Sequence, residues 1–171
     1  MRRIEGFSLA ELIMVIVILG ILGAFVGPVL MNAMRSYGTV QTSVATQAKM
    51  RYAMERMARE MRDIRRQTTD STFLDITSMT ASSMAFFKTD GTQVILNGIG
   101  PSVNLAYVGT ATGILTDQVQ AGSFALAYFQ QNASTVPLTA ASISFVQISM
   151  TLTEGTNTFP ARVRVDLRNP Q

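Results

Sequence analysis

Gly6, Phe7 and Glu11 are the residues of this 171-residue chain whose types and spacing suggest chemistry. A glycine ahead of a peptide bond lets the backbone extend into a protease cleft without a side-chain clash, which marks Gly6–Phe7 as a cleavage point. A cut there removes Arg2, Arg3 and Glu5 and frees an α-amine on Phe7, one helical turn before Glu11. After Glu11 no charged residue occurs until Arg35. A lone carboxylate in lipid costs several kcal/mol or is partly neutralised unless a cation meets it. The Phe7 amine is such a cation, on the same chain or on an incoming copy. Docking of copies is then favourable only when the two charges meet. A plainer role is also open to Glu11, since an acid in the first turn complements the helix dipole by about 0.3–1 kcal/mol.

Other chemistry is thinly represented. With no cysteine and no histidine, the chain lacks disulfides, thiol nucleophiles, Cys- or His-based metal sites and the usual hydrolytic triad. It shows no phosphate loop, nucleophile motif or metal-ligand spacing, and Asp70, Asp75, Asp90 and Asp117 are dispersed. No catalytic residue, cofactor or metal is expected, and the chain reads as a non-enzyme. Gly98-Ile99-Gly100-Pro101 is a turn, and Asn132-Ala133-Ser134 fits a glycosylation acceptor by pattern alone. The net charge of +3 is too mild to imply nucleic acid as a partner. The arginine-rich run from Arg51 to Arg66 has Glu55, Glu60 and Asp63 interleaved and no aromatic stacking partner after it. A solvated, paired helix face accounts for it better than nucleic acid does.

The elements that must position Glu11 follow from hydropathy. Leu12 to Leu30 covers about 28 Å at helical rise, matching the hydrocarbon thickness of a bilayer. No second run approaches that length, so one membrane span is expected, with Arg2 and Arg3 holding the leader on the cytoplasmic side. Gly20, Gly23, Gly27 and Pro28 lie within the span. They fit either the ordinary tolerance of membrane helices or a helix that melts locally and lets a subunit stretch and repack. Asn32 to Gln67 continues the helix in amphipathic form, with Gly38 as its weak point. Met50, Met54, Met57, Met61 and Ile64 recur at helical spacing and form one stripe, extended upstream by Val40, Val44 and Ala48. That stripe reads as core. Glu55 with Arg59, Arg56 with Glu60, and Arg59 with Asp63 form i,i+4 pairs on the outer face, and Arg62, Arg65 and Arg66 occupy the last turns.

From Thr68 onward, alternation with period two replaces the helical pattern. Ser83 to Thr89 and Thr92 to Asn97 flank Asp90-Gly91, a type I′ hairpin signal. Val103 to Val108 and Phe124 to Phe129 read as further strands. Ile148, Met150 and Leu152, then Ala161, Val163, Val165 and Leu167, alternate with polar residues around an Glu154–Asn157 turn. This is the pattern of an antiparallel sheet with one face on a helix. A slip in the alternation at Phe145 and Val146 predicts a bulge.

Gly6-Phe7-Ser8-Leu9-Ala10-Glu11-Leu12, followed by the apolar run to Leu22, resembles the class III signal of type IV pilins and pseudopilins. The resemblance implies cleavage after Gly6 by a prepilin peptidase that also methylates the amine of Phe7. It gives Glu11 the part of the family's assembly glutamate and Pro28 that of a helix-kinking proline. The fold it implies is α+β and pilin-like: leader 1–6, transmembrane and assembly helix 7–31, amphipathic helix 32–67, and β-rich head 68–171. The implied partners are other pilin subunits in a homo- or hetero-filament, the peptidase, an inner-membrane assembly platform, and membrane lipid before assembly. The implied location is the bacterial inner membrane, single-pass with the head periplasmic, then a pilus or pseudopilus that can reach the cell surface.

Met54-Glu55-Arg56-Met57-Ala58-Arg59-Glu60-Met61-Arg62 resembles the second helical half of minor pilins and J-class pseudopilins. Val163 to Pro170 resembles the close of minor subunits in mannose-sensitive haemagglutinin-type pili. A minor subunit is therefore the first expectation. A major pilin, or a membrane-anchored periplasmic domain that binds DNA or surfaces without polymerising, is the alternative. The chain departs from the family in lacking the two cysteines that usually clip the C-terminal region.

Overall fold

Ser8 starts a helix that the next 54 residues sustain, because apolar and then methionine-rich sequence follows with Pro28 as its one proline. The computed structural model describes residues 8–69, 73–130 and 143–167. The order of elements is α1 (Leu9–Arg62), then β1 (Ile76–Met79), β2 (Ser83–Phe87), β3 (Gln93–Ile99), β4 (Ser102–Tyr107), β5 (Gly113–Thr116), β6 (Ala125–Phe129), β7 (Phe145–Glu154) and β8 (Asn157–Asp166). The chain divides within α1 into two units, Met1–Thr42 and Ser43–Gln171.

In the first unit the described residues are helical almost from Ser8, and all of them are exposed. The helix passes unbroken through Pro28 and Gly38. Near Gly38 two threonine hydroxyls donate to carbonyls one turn back, Thr39 to Arg35 at 3.0 Å and Thr42 to Gly38 at 3.3 Å. This stretch is long and apolar enough to cross a bilayer, and none of it is buried in protein.

The second unit holds the core. Met50, Met54, Met57, Met61 and Ile64 are all buried, as their spacing predicts. The upstream extension of the stripe does not hold: Val40, Val44 and Ala48 are exposed, and Thr46 takes the inward position instead. The helix also ends earlier than Gln67. Asp63 and Ile64 donate three residues back, to Glu60 and Met61, a tightening typical of a last turn. Ile64 then bridges Lys88 and Arg66 bridges Leu74, so Arg65 and Arg66 lie in extended chain rather than in the last turns of α1.

The strands form two antiparallel sheets rather than one, β1-β2-β3-β4-β5 and β6-β7-β8. Met84, Phe86, Val94, Leu96 and Val103 of the first, with Val146, Ile148, Met150, Leu152 and Val165 of the second, share one core with the methionines of α1. At the β2–β3 hairpin, Gly91 N donates to Lys88 O at 3.0 Å, and Gly91 has φ 83. Asp90 stays at negative φ, so this is a three-residue loop built on a type I turn with a glycine bulge, not type I′. Gly155, at φ 58 in the first central position of the β7–β8 turn, is the glycine that a type II′ turn needs.

The bulge predicted at Phe145 is absent. Phe145 pairs Asp166 and Val146 pairs Val165 in unbroken register. The slip in the pattern arises because Phe145 stays on the outer face, where Arg164 lies over it and over Phe129. The irregularities fall instead between Ile76 and Ser78 and between Val103 and Asn104.

Candidate functional site

Ser8 and Glu11 make a reciprocal cap at the start of α1. Glu11 N donates to Ser8 Oγ at 3.3 Å, and Ser8 N donates to Glu11 Oε2 at 3.4 Å. This Ser-x-x-Glu arrangement gives the Ser8 N–H an acceptor and the Glu11 N–H, which also reaches Ser8 O at 3.1 Å, a second one. It also turns the carboxylate back along the chain toward its N-terminal end. Ser8 was not singled out from sequence, although serine three residues before glutamate, ahead of an apolar run, is a readable start signal.

Behind this cap runs the apolar surface. Leu12, Ile16, Leu19, Ile21 and Phe25 are exposed along the helix, and nothing lies within 4 Å of an added Cβ at Gly20, Gly23 or Gly27. Pro28 sits inside the helix. Gly6 and Phe7, between which a cut is expected, lie outside the described residues, as do Asp70 and Asn132-Ala133-Ser134.

A second polar constellation ties the end of α1 to the sheet, and sequence reasoning placed its centre on the wrong face. Glu60 is buried, not on an outer paired face. Its Oε1 accepts the Tyr107 hydroxyl at 2.9 Å and pairs with Arg56 at 2.9 Å, while Lys88 Nζ lies 3.3 Å from Oε2. Lys88 also pairs with Asp63 at 3.2 Å and with Asp90 at 3.7 Å. Burial alone would lower the Lys88 pKa, but Asp63 and Glu60 more than offset it and the value stands above the ordinary one. Burial and the bond to Glu60 raise Tyr107.

The remaining dispersed acids are structural. Arg65 pairs with Asp75 at 2.8 Å. Lys49 reaches Asp117 at 2.7 Å and holds its carboxyl below the usual range. The same ammonium donates to Gln118, whose side chain also bonds Glu154 and whose backbone adopts φ 62. Among the described residues no group of three acids has metal-binding geometry.

Residues 1–27 match the family model of the prokaryotic N-terminal methylation motif. This motif, continued by the long apolar helix, is the class III signal of type IV pilins. Such a signal fits a membrane-anchored prepilin, cut by a prepilin peptidase, that assembles with other pilin subunits. The family it defines is one of structural subunits. A search of curated proteins found no match to the chain.

Proposed function

We propose that this chain is a minor structural subunit of a type IV pilus or of a type II secretion pseudopilus. The leader 1–6 is cut off after Gly6, Phe7 is methylated, and the helix 7–31 anchors the subunit with its head in the periplasm. An inner-membrane assembly platform then moves it into a filament. There the apolar helices of many subunits exclude water as lipid did before, and Glu11 of an assembled subunit pairs with the Phe7 amine of an incoming one.

The observation that carries this reading is the cap. The Glu11 carboxylate lies against the Ser8 N–H, next in sequence to the residue whose amine cleavage would free. Charge and helix start thus coincide at the head of an exposed apolar rod, and an acid so placed in lipid calls for a cationic partner. The resemblances at Met54 to Arg62 and at Val163 to Pro170 support the minor role. Mass spectrometry of the membrane-extracted protein tests the first step. A chain that begins at N-methylated Phe7 is expected. One that still begins at Met1, or that is shortened beyond the apolar helix, overturns the reading.

A further inference from the structure

β8 is an edge strand, paired with β7 on one side. The direction of its backbone groups follows from β7. Gln120 N donates to Thr151 O and Thr153 N donates to Gln118 O, so odd-numbered residues of β7 turn their N–H and C=O away from β8. The even-numbered ones face β8, where their partners are Phe159, Ala161, Val163 and Val165. Thr158, Pro160, Arg162 and Arg164 therefore turn their backbone groups outward, and no partner meets those groups among the described residues. Pro160, which has no N–H to offer, falls in this outward set, where proline breaks no ladder bond.

Beside that edge runs a groove of about 400 Å³ between α1 and β8. Met50, Met54, Phe159, Ala161 and Val163 supply its apolar floor. It shares Met54 and Val163 with a further hollow of about 320 Å³ along α1. The rims of the two are basic: Arg51, Arg59, Arg62 and Arg162 against the single acid Glu55.

We propose that this edge and groove receive an extended acidic segment of a partner protein, which adds to the sheet as a fourth strand beside β8. Such a strand lies about 4.8 Å from β8 and bonds the outward backbone of Arg162 and Arg164. Its side chains on one face enter the apolar groove, whose α1 rim carries Arg51, Arg59 and Arg62, and acids on the other meet Arg162 and Arg164 of β8. Extended backbone is required because a helix satisfies its own donors and leaves those of β8 unmet. The sign of the rim selects against a second copy. Pairing β8 with β8 would set Arg162 and Arg164 of both chains side by side, which destabilises a sheet edge. The proposal does not depend on filament assembly, because the edge, floor and rim all belong to residues 43–171.

The test uses the full chain in detergent and, as probe, a fluorescent ten-residue peptide alternating valine and glutamate, with a valine–lysine peptide as control. The glutamate peptide is expected to bind more weakly as salt rises, and to protect the Arg162 and Arg164 amides from hydrogen exchange. Arg162→Glu is expected to weaken binding about tenfold through the rim, and Arg164→Pro to do so by removing an outward donor. Thermal unfolding of both variants reports that the fold is kept, and Arg162→Glu, on an exposed side chain, decides alone if Arg164→Pro does not fold. No binding, equal binding of the lysine peptide, binding that leaves those amides unprotected, or self-association through β8 overturns the proposal.

Discussion

Substitution can separate the cap that Glu11 makes with Ser8 from the assembly charge proposed for it. Glutamine serves the reciprocal cap nearly as well as glutamate, so Glu11→Gln keeps the helix start and removes only the charge. Ser8→Ala does the reverse, costing about 1 kcal/mol of capping while leaving the carboxylate. Recovery of the subunit in sheared filaments is expected to persist in Ser8→Ala and to collapse in Glu11→Gln; equal recovery of both would make Glu11 a cap alone. The charge on Glu11 was legible in sequence because nothing else between it and Arg35 is charged. The inward turn of Glu60 was not. Arg56 and Glu60 four residues apart look like any surface pair, and only Lys88 and Tyr107, far downstream in sequence, show that the carboxylate faces the core.

At the scale of elements, the helix and most strands could be read because one repeat dominates each. Spacings of three and four marked the methionine stripe, and strict alternation marked β7 and β8. What could not be read were the ends and joins, where tertiary partners decide. α1 stops at Arg62 because Lys88, just past β2, and Leu74, ahead of β1, bridge Ile64 and Arg66. Phe145 breaks its pattern because Arg164 covers an aromatic on the outer face. A further join rests on Gly98 in β3. An added Cβ there would stand 2.3 Å from the Phe124 ring, just ahead of β6. Phe124 is itself buried, so the ring has little room to yield. Gly98→Ala is expected to cost about 1–3 kcal/mol by overpacking, read as a lower midpoint in chemical denaturation. An unchanged midpoint would mean that the two segments are less tightly fitted than their geometry indicates.

For the molecule as a whole, the clamp around Glu60 sets an alkaline limit. Lys88 and Tyr107 both titrate higher in the folded chain than their ordinary values. The folded state therefore holds these protons more tightly, and its advantage is complete below about pH 10, where neither group titrates in the unfolded chain. Above that pH the unfolded chain releases protons first and stability falls until the folded values are passed. Tyr107→Phe is expected to flatten this alkaline limb of a thermal-unfolding series, and an identical limb would remove Tyr107 from the clamp.

The methionines along α1 give the molecule a graded tolerance of peroxide. Thioethers are its only easily oxidised sulfur, since cysteine is absent. Met31 and Met34 are 55% and 63% exposed, whereas Met57 and Met61 are each 1% exposed. In the subunit extracted from the membrane, sulfoxides should collect on Met34, beyond the anchor helix, and then on Met31, while the second pair stays intact, and peptide mapping after mild peroxide treatment would show that order. Damage to the inner pair would put a polar oxygen where α1 meets the sheets, so its appearance would mark unfolding that had already begun.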